Sequence, residues 1–128
     1  MRDAFRLQVE PDARRAAEAY EAELREFFTS RSLMANNLPR FDLVLLGMGP
    51  DGHTASLFPH TMALRETKRW VAPNYIPELK ANRLTLTTPI LNRAAMILFL
   101  VSGAEKATAL QVILEGPPDP ERLPAQLI

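Results

Sequence analysis

Phe41-Asp42-Leu43-Val44-Leu45-Leu46-Gly47-Met48-Gly49-Pro50-Asp51-Gly52-His53 is a short, nearly continuous apolar run closed by a glycine-rich turn and a histidine. A run of this length suits a strand buried on both faces, as in a parallel sheet. After the turn, residues 53–58 read as a short helix stopped by Pro59. A second strand is expected around Trp70-Val71-Ala72, followed by Pro73-Asn74-Tyr75-Ile76-Pro77 as loop. Arg83-Leu84-Thr85-Leu86-Thr87 alternates polar and apolar residues and reads as a half-buried strand. Residues 95–101 read as another fully buried strand. Ser102-Gly103 then turns the chain into a helix over residues 104–115, with Ala107, Leu110, Ile113 and Leu114 on one face and Gly116-Pro117-Pro118 as its end. Upstream, Pro11 suits a first helical position. Ala13, Ala16, Ala17, Tyr20, Leu24, Phe27 and Phe28 follow at the three-four spacing of an amphipathic helix, with Glu18, Glu21, Glu23, Arg25 and Glu26 largely on its wet face. Asn36-Asn37-Leu38-Pro39 breaks that pattern as a turn. Strands alternating with helices predict an α/β fold, a mostly parallel sheet with helices on both faces. No repeat or linker divides residues 1–128 into more than one domain.

The composition narrows the chemistry. The chain has 128 residues, 15 basic and 15 acidic, and no cysteine. Without cysteine there is no disulfide scaffold, thiolate zinc site, iron–sulfur cluster or cysteine nucleophile. Balanced charge removes the electrostatic argument for nucleic acid. The longest apolar run, residues 94–101, is eight residues long, against the ~20 a membrane helix needs. No signal-peptide core follows the first residues. The expectation is a soluble, cytoplasmic domain that binds neither nucleic acid nor membrane.

Gly47-Met48-Gly49-Pro50-Asp51-Gly52 matches G-x-G-x-x-G after a strand, the pattern of a dinucleotide site. Pro59 stops the following helix too early, however, and Glu66 lies in a polar stretch where an acidic ribose partner should end the next strand. A second reading is a plain strand-to-helix turn, in which glycine permits positive φ and close backbone approach. His53, directly after the turn, favours a third. Ligands of open α/β sheets bind at the carboxyl ends of strands, and imidazole suits proton transfer near neutrality. Asp51 stands where it can hold one tautomer of His53; without catalysis it is a turn former and His53 a packing residue. His53 and His60 have no third ligand to make a metal site. Ser56 lacks a nucleophile elbow. Lys106, just past another strand, reads either as a solvated helix lysine or as a phosphate-binding cation.

The segment Gly47-Met48-Gly49-Pro50-Asp51-Gly52-His53-Thr54-Ala55-Ser56-Leu57-Phe58-Pro59 closely resembles the signature of the 6-phosphogluconolactonases. Arg83-Leu84-Thr85-Leu86-Thr87 is similar to that family's second block, with Asn92 and Ala94 in the connecting stretch. Phe99-Leu100-Val101-Ser102-Gly103-Ala104-Glu105-Lys106 resembles the third, and Leu123-Pro124-Ala125 the segment after it. The sister glucosamine-6-phosphate deaminases share the glycine turn and D-G-H core, but favour an aromatic-Asn-Glu-Pro ending where this chain has Ala55-Ser56-Leu57-Phe58-Pro59. The resemblance implies a partial doubly wound, Rossmann-like sheet. Family members are about twice this length. The chain is therefore expected to be a piece of a lactonase lacking an amino-terminal part, with its Gly-Gly-Ser-Thr-type phosphate turn and Asp-Glu-Arg segment, and an Asp-Ala-Ala-type tail. It is expected to expose an apolar face or strand edge, and so to self-associate or to need a complementing amino-terminal segment.

The resemblance implies hydrolysis of 6-phospho-D-glucono-1,5-lactone to 6-phosphogluconate, in the pentose phosphate pathway, without metal or organic cofactor. In that chemistry His53, held by Asp51, is the general base. Backbone N–H groups around Gly47, Gly49 and Gly52 face the oxyanion, Lys106 binds the phosphate, and Arg83 assists or is structural. A deaminase-like isomerase and an inactive sugar-phosphate-binding remnant are the alternatives.

Overall fold

The structure is a computed structural model that describes residues 12–35 and 37–128. Pro11 lies outside the described residues, and the helix start is set by its neighbour. The Asp12 carboxylate accepts from the N–H groups of Arg14 and Arg15, capping α1 (Ala13–Ser30). Helix α1 buries Ala16, Ala17, Leu24 and Phe28 along one stripe, as the spacing predicts.

A two-residue antiparallel pair, β1 (Met34–Ala35) with β2 (Leu38–Pro39), follows α1. The first long-range pairing joins β3 (Val44–Leu46) to β6 (Ile97–Phe99) in parallel, with Val44 opposite Ile97, Leu45 opposite Leu98 and Leu46 opposite Phe99. Between them lies an antiparallel hairpin, β4 (Val71–Ile76) and β5 (Ala81–Leu86). The short helix α2 (Thr88–Leu91) follows the hairpin, and α3 (Ala107–Glu115) follows β6.

The α/β class and the parallel strands stand. Among the described residues the parallel part is a single pair, and the hairpin supplies the rest of the long pairings. Strand β4 runs through Pro73-Asn74-Tyr75-Ile76, which the sequence reading took as loop. Pro73 is tolerated because, among the described residues, β4 pairs on one side only, so the ladder does not need its missing N–H.

Successive residues of β4 feed two cores. Val71 packs with Trp70, Ile90 and the Ala17–Leu24–Phe28 stripe of α1. Ala72, on the opposite face, packs with Leu46, Leu57, Ala63 and Leu91. Glu21, expected on the wet face of α1, turns inward. Its Oε2 accepts from the backbone N–H groups of Trp70, at 2.8 Å, and Val71, at 3.1 Å. The helix is thereby fastened to the first residues of the hairpin.

Strands β3 and β6 depart from the sequence reading, which buried both of their faces. Val44, Leu46, Ile97 and Phe99 face the second core. The alternate residues face outward: Leu43, Leu45, Met96, Leu98 and Leu100 are 49%, 57%, 62%, 46% and 60% exposed. The runs are apolar on both sides, but only one side is covered among the described residues.

Candidate active site

The glycine turn leaves β3 at its carboxyl end and closes on itself. Gly49 N–H donates to His53 O at 2.9 Å, and Gly52 N–H donates to Gly49 O at 3.0 Å. The buried hydroxyl of Thr54 donates to Gly47 O at 2.8 Å. Two of the amides expected to face an oxyanion, those of Gly49 and Gly52, are therefore spent inside the loop.

No helix opens after the turn, against the short helix expected over residues 53–58. Leu57 N–H returns to Thr54 O at 2.9 Å, and Ala55 sits in the left-handed region at φ 50°. Ser56 N–H is drawn sideways to Thr85 Oγ1 of β5 at 3.3 Å. These bonds compete with a helical ladder that Pro59 would in any case cut short.

His53 is the focus of the loop. Its Nδ1 lies 2.6 Å from Asp51 Oδ1, which also accepts the His53 backbone N–H at 3.2 Å. An ionised carboxylate only accepts, so in the neutral ring the short contact puts the proton on Nδ1 and the lone pair on Nε2. A Cβ on Gly49 would collide with Nδ1 and Cε1 of the same ring. The Phe58 ring stacks on His53, with centroids 4.0 Å apart and planes 17° from parallel.

An open cleft of about 550 Å³ is lined by Gly47, Gly49, Pro50, His53, Ala55 and Lys106, with Leu45, Leu46 and Met48 behind them. His53 and Lys106, both singled out in the sequence, thus share one space. Lys106 reaches it from a single 3-10 turn, Ala104–Lys106, after β6. Gly47 differs from Gly49: a Cβ there would meet nothing within 4 Å.

Two expected site residues lie elsewhere. Gly52, at φ 78°, is packed against Leu123, and its carbonyl accepts from Ala125 N–H at 2.9 Å. Its role in this chain is to let the turn meet the carboxyl-terminal segment. Arg83 is exposed on β5, opposite Asn74, and does not line the cleft. Among the described residues no group of three or more His, Cys, Asp or Glu is placed to hold a metal ion, and no helix is long and apolar enough to cross a membrane.

Residues 2–128 match the family model described as glucosamine-6-phosphate isomerases/6-phosphogluconolactonase. The chain is 45% identical over 117 residues to a 6-phosphogluconolactonase of Synechocystis sp., covering 91% of this chain and 47% of that protein. It is 43% identical over 114 residues to the Homo sapiens 6-phosphogluconolactonase, covering 88% and 42%. The solved 6-phosphogluconolactonase of Trypanosoma brucei superposes with a TM-score of 0.73 at 33% identity, covering 95% of this chain and 49% of that one. The chain spans about half the length of the curated relatives it matches.

Proposed function

Because the chain belongs to the glucosamine-6-phosphate isomerase/6-phosphogluconolactonase family, we propose that its cleft hydrolyses 6-phospho-D-glucono-1,5-lactone, with His53 as the base. One observation carries the reading: His53, whose Nδ1 lies 2.6 Å from Asp51 Oδ1, lines the same cleft as Lys106. The names of the curated relatives support lactone over amino sugar as the substrate. The pentose phosphate pathway and the cytoplasmic setting expected from the sequence belong to the same proposal.

The chemistry needs a water, a base and a proton for the leaving oxygen. His53 Nε2 takes a proton as water attacks the lactone carbonyl. The imidazolium that forms is held by the Asp51 carboxylate. When the tetrahedral intermediate collapses, the ring C–O bond breaks and the proton passes from Nε2 to the departing oxygen. Ring-opened acid is released, and His53 returns to its starting state. Acid–base catalysis of this kind contributes typically ~10²–10⁴-fold. Lys106 binds the phosphate at the far end of the substrate, and that binding orients the carbonyl against His53.

The test is hydrolysis of the phosphorylated lactone by the purified chain, measured against the spontaneous rate and against His53→Ala. The proposal expects catalysis that the substitution lowers on the order of 10²-fold or more. Near-normal catalysis in the variant removes the base from the mechanism. Release of ammonia from glucosamine 6-phosphate, with no lactone turnover, would assign the cleft to the other activity in the family's description.

A further inference from the structure

We propose that Phe58 is a positioning residue for His53, and that the β4–β5 hairpin, through Phe58, fixes the plane in which His53 Nε2 meets its substrate. The inference rests on the reading of His53 as the base.

An imidazole held by one hydrogen bond can still swing about that bond. The Asp51 contact fixes Nδ1, and the Gly49 backbone closes one direction of movement. Phe58 supplies what these two lack, a flat surface against the ring face, 4.0 Å away and 17° from parallel. A stacked contact of this kind restricts rotation about the last side-chain torsion, which is otherwise broad for histidine.

Phe58 can do this only if it is itself held. Its carbonyl accepts from Thr61 Oγ1 at 2.7 Å. Thr61 Oγ1 in turn accepts from Asn74 Nδ2 at 2.9 Å, and the same amide nitrogen reaches Ser56 O at 2.9 Å. Asn74 is 1% exposed on β4, and Thr85 of β5 takes the Ser56 N–H. The strap over residues 54–61 is therefore pinned to both strands of the hairpin. Ala55, in a conformation alanine avoids, shows the strap held against local preference. The glycine turn sets one side of the base, and a distant hairpin sets the other.

Phe58→Leu and Phe58→Tyr separate this role from simple packing. The chain has two histidines, so in a His60→Gln background the imidazole NMR signals belong to His53 alone. We expect His53 ring protons shifted upfield by the Phe58 ring, retained in Phe58→Tyr and lost in Phe58→Leu. Phe58→Leu should lower kcat about tenfold with KM little changed, and Phe58→Tyr should restore it. Identical His53 signals with and without the aromatic ring, or an unchanged kcat in Phe58→Leu, would overturn the proposal. So would an equal fall of kcat in Phe58→Tyr. A parent chain with the ring-current shift but no lactone turnover would overturn the lactonase reading and leave the placement of the ring standing.

Discussion

The His53 ring stands where a Cβ on Gly49 would have to go. Two residues earlier, a Cβ on Gly47 would enter open space in the cleft. On the proposed function, substitutions at the two glycines should therefore act differently. Gly49→Ala should push the imidazole off Asp51 and lower turnover on the order of 10²-fold, because misplacing a reacting group by about 1 Å has that effect. Gly47→Ala should leave His53 in place and narrow the room for substrate, so KM should rise more than kcat falls. Steady-state kinetics on both variants, with circular dichroism melts to confirm folding, checks the contrast. Identical kinetic signatures would show that the turn is a single structural unit.

His53 and Lys106 line the same cleft and should fail differently. His53→Ala should lower turnover on the order of 10²-fold or more while substrate still binds. Lys106→Ala should weaken the phosphorylated lactone ~10–100-fold, the size of a lost charge-assisted contact, and leave the unphosphorylated lactone nearly untouched. The measurement is kcat and KM on both lactones. Equal losses for the two lactones in Lys106→Ala would make that lysine a support of the fold.

Sequence patterns carried the fold unevenly, for reasons particular residues make plain. The α1 stripe was legible because helical spacing needs only local information, and Leu24 and Phe28 fall where it places them. Strand β4 was not, because Pro73 and Asn74 read as turn formers, whereas an unpaired edge tolerates the proline and a long-range bond to Ser56 employs the asparagine. The inward turn of Glu21 was equally hidden: its partners, Trp70 and Val71, lie 49 and 50 residues away. At the site, the grouping of His53, Asp51 and Lys106 was legible from their positions after strands, whereas Gly49 was read for an amide that the loop itself consumes. The role of Phe58 was not legible, since stacking depends on the reversal at residues 54–57. An aromatic five residues after the histidine was the only signal.

Glu21 gives the fold a pH dependence. Burial alone would raise its carboxyl pKa, but hydrogen bonds from Arg25, Val71 and Trp70 outweigh burial and lower it below the ordinary value. A lowered pKa means that the folded state favours the ionised form. Its stabilisation is in full force above the unfolded glutamate value of ~4.3 and is lost as pH falls through the lower folded value. Glu21→Ala should therefore be about 1–3 kcal/mol less stable near neutrality, since two backbone donors lose their acceptor. The gap to the parent should close on acidification below about pH 4. Urea melts from pH 7 downward measure it. A gap independent of pH would mean that the side chain stabilises by packing and not by its charge.

The outer face of the β3–β6 pair makes the last prediction. Leu45 and Leu98 are register partners, and both point away from the core. With Leu43, Met96 and Leu100 they make an apolar surface on a pair whose two outer edges are unpaired among the described residues. Soluble monomers rarely leave contiguous apolar patches larger than a few hundred Å² uncovered, and open strand edges recruit further strands. The isolated chain should therefore self-associate in a concentration-dependent way. Leu43→Lys with Leu98→Lys should suppress this, because both side chains are exposed and neither lines the cleft. Removing two exposed leucines should change stability little, within about 0.5 kcal/mol each. Sedimentation velocity on the parent and the double variant reads the outcome directly. A parent that stays monomeric at high concentration would show that five exposed Leu and Met side chains are too dispersed to act as one surface. A double variant that associates as strongly as the parent would move the contact to the open strand edges, where backbone pairing is indifferent to side chains.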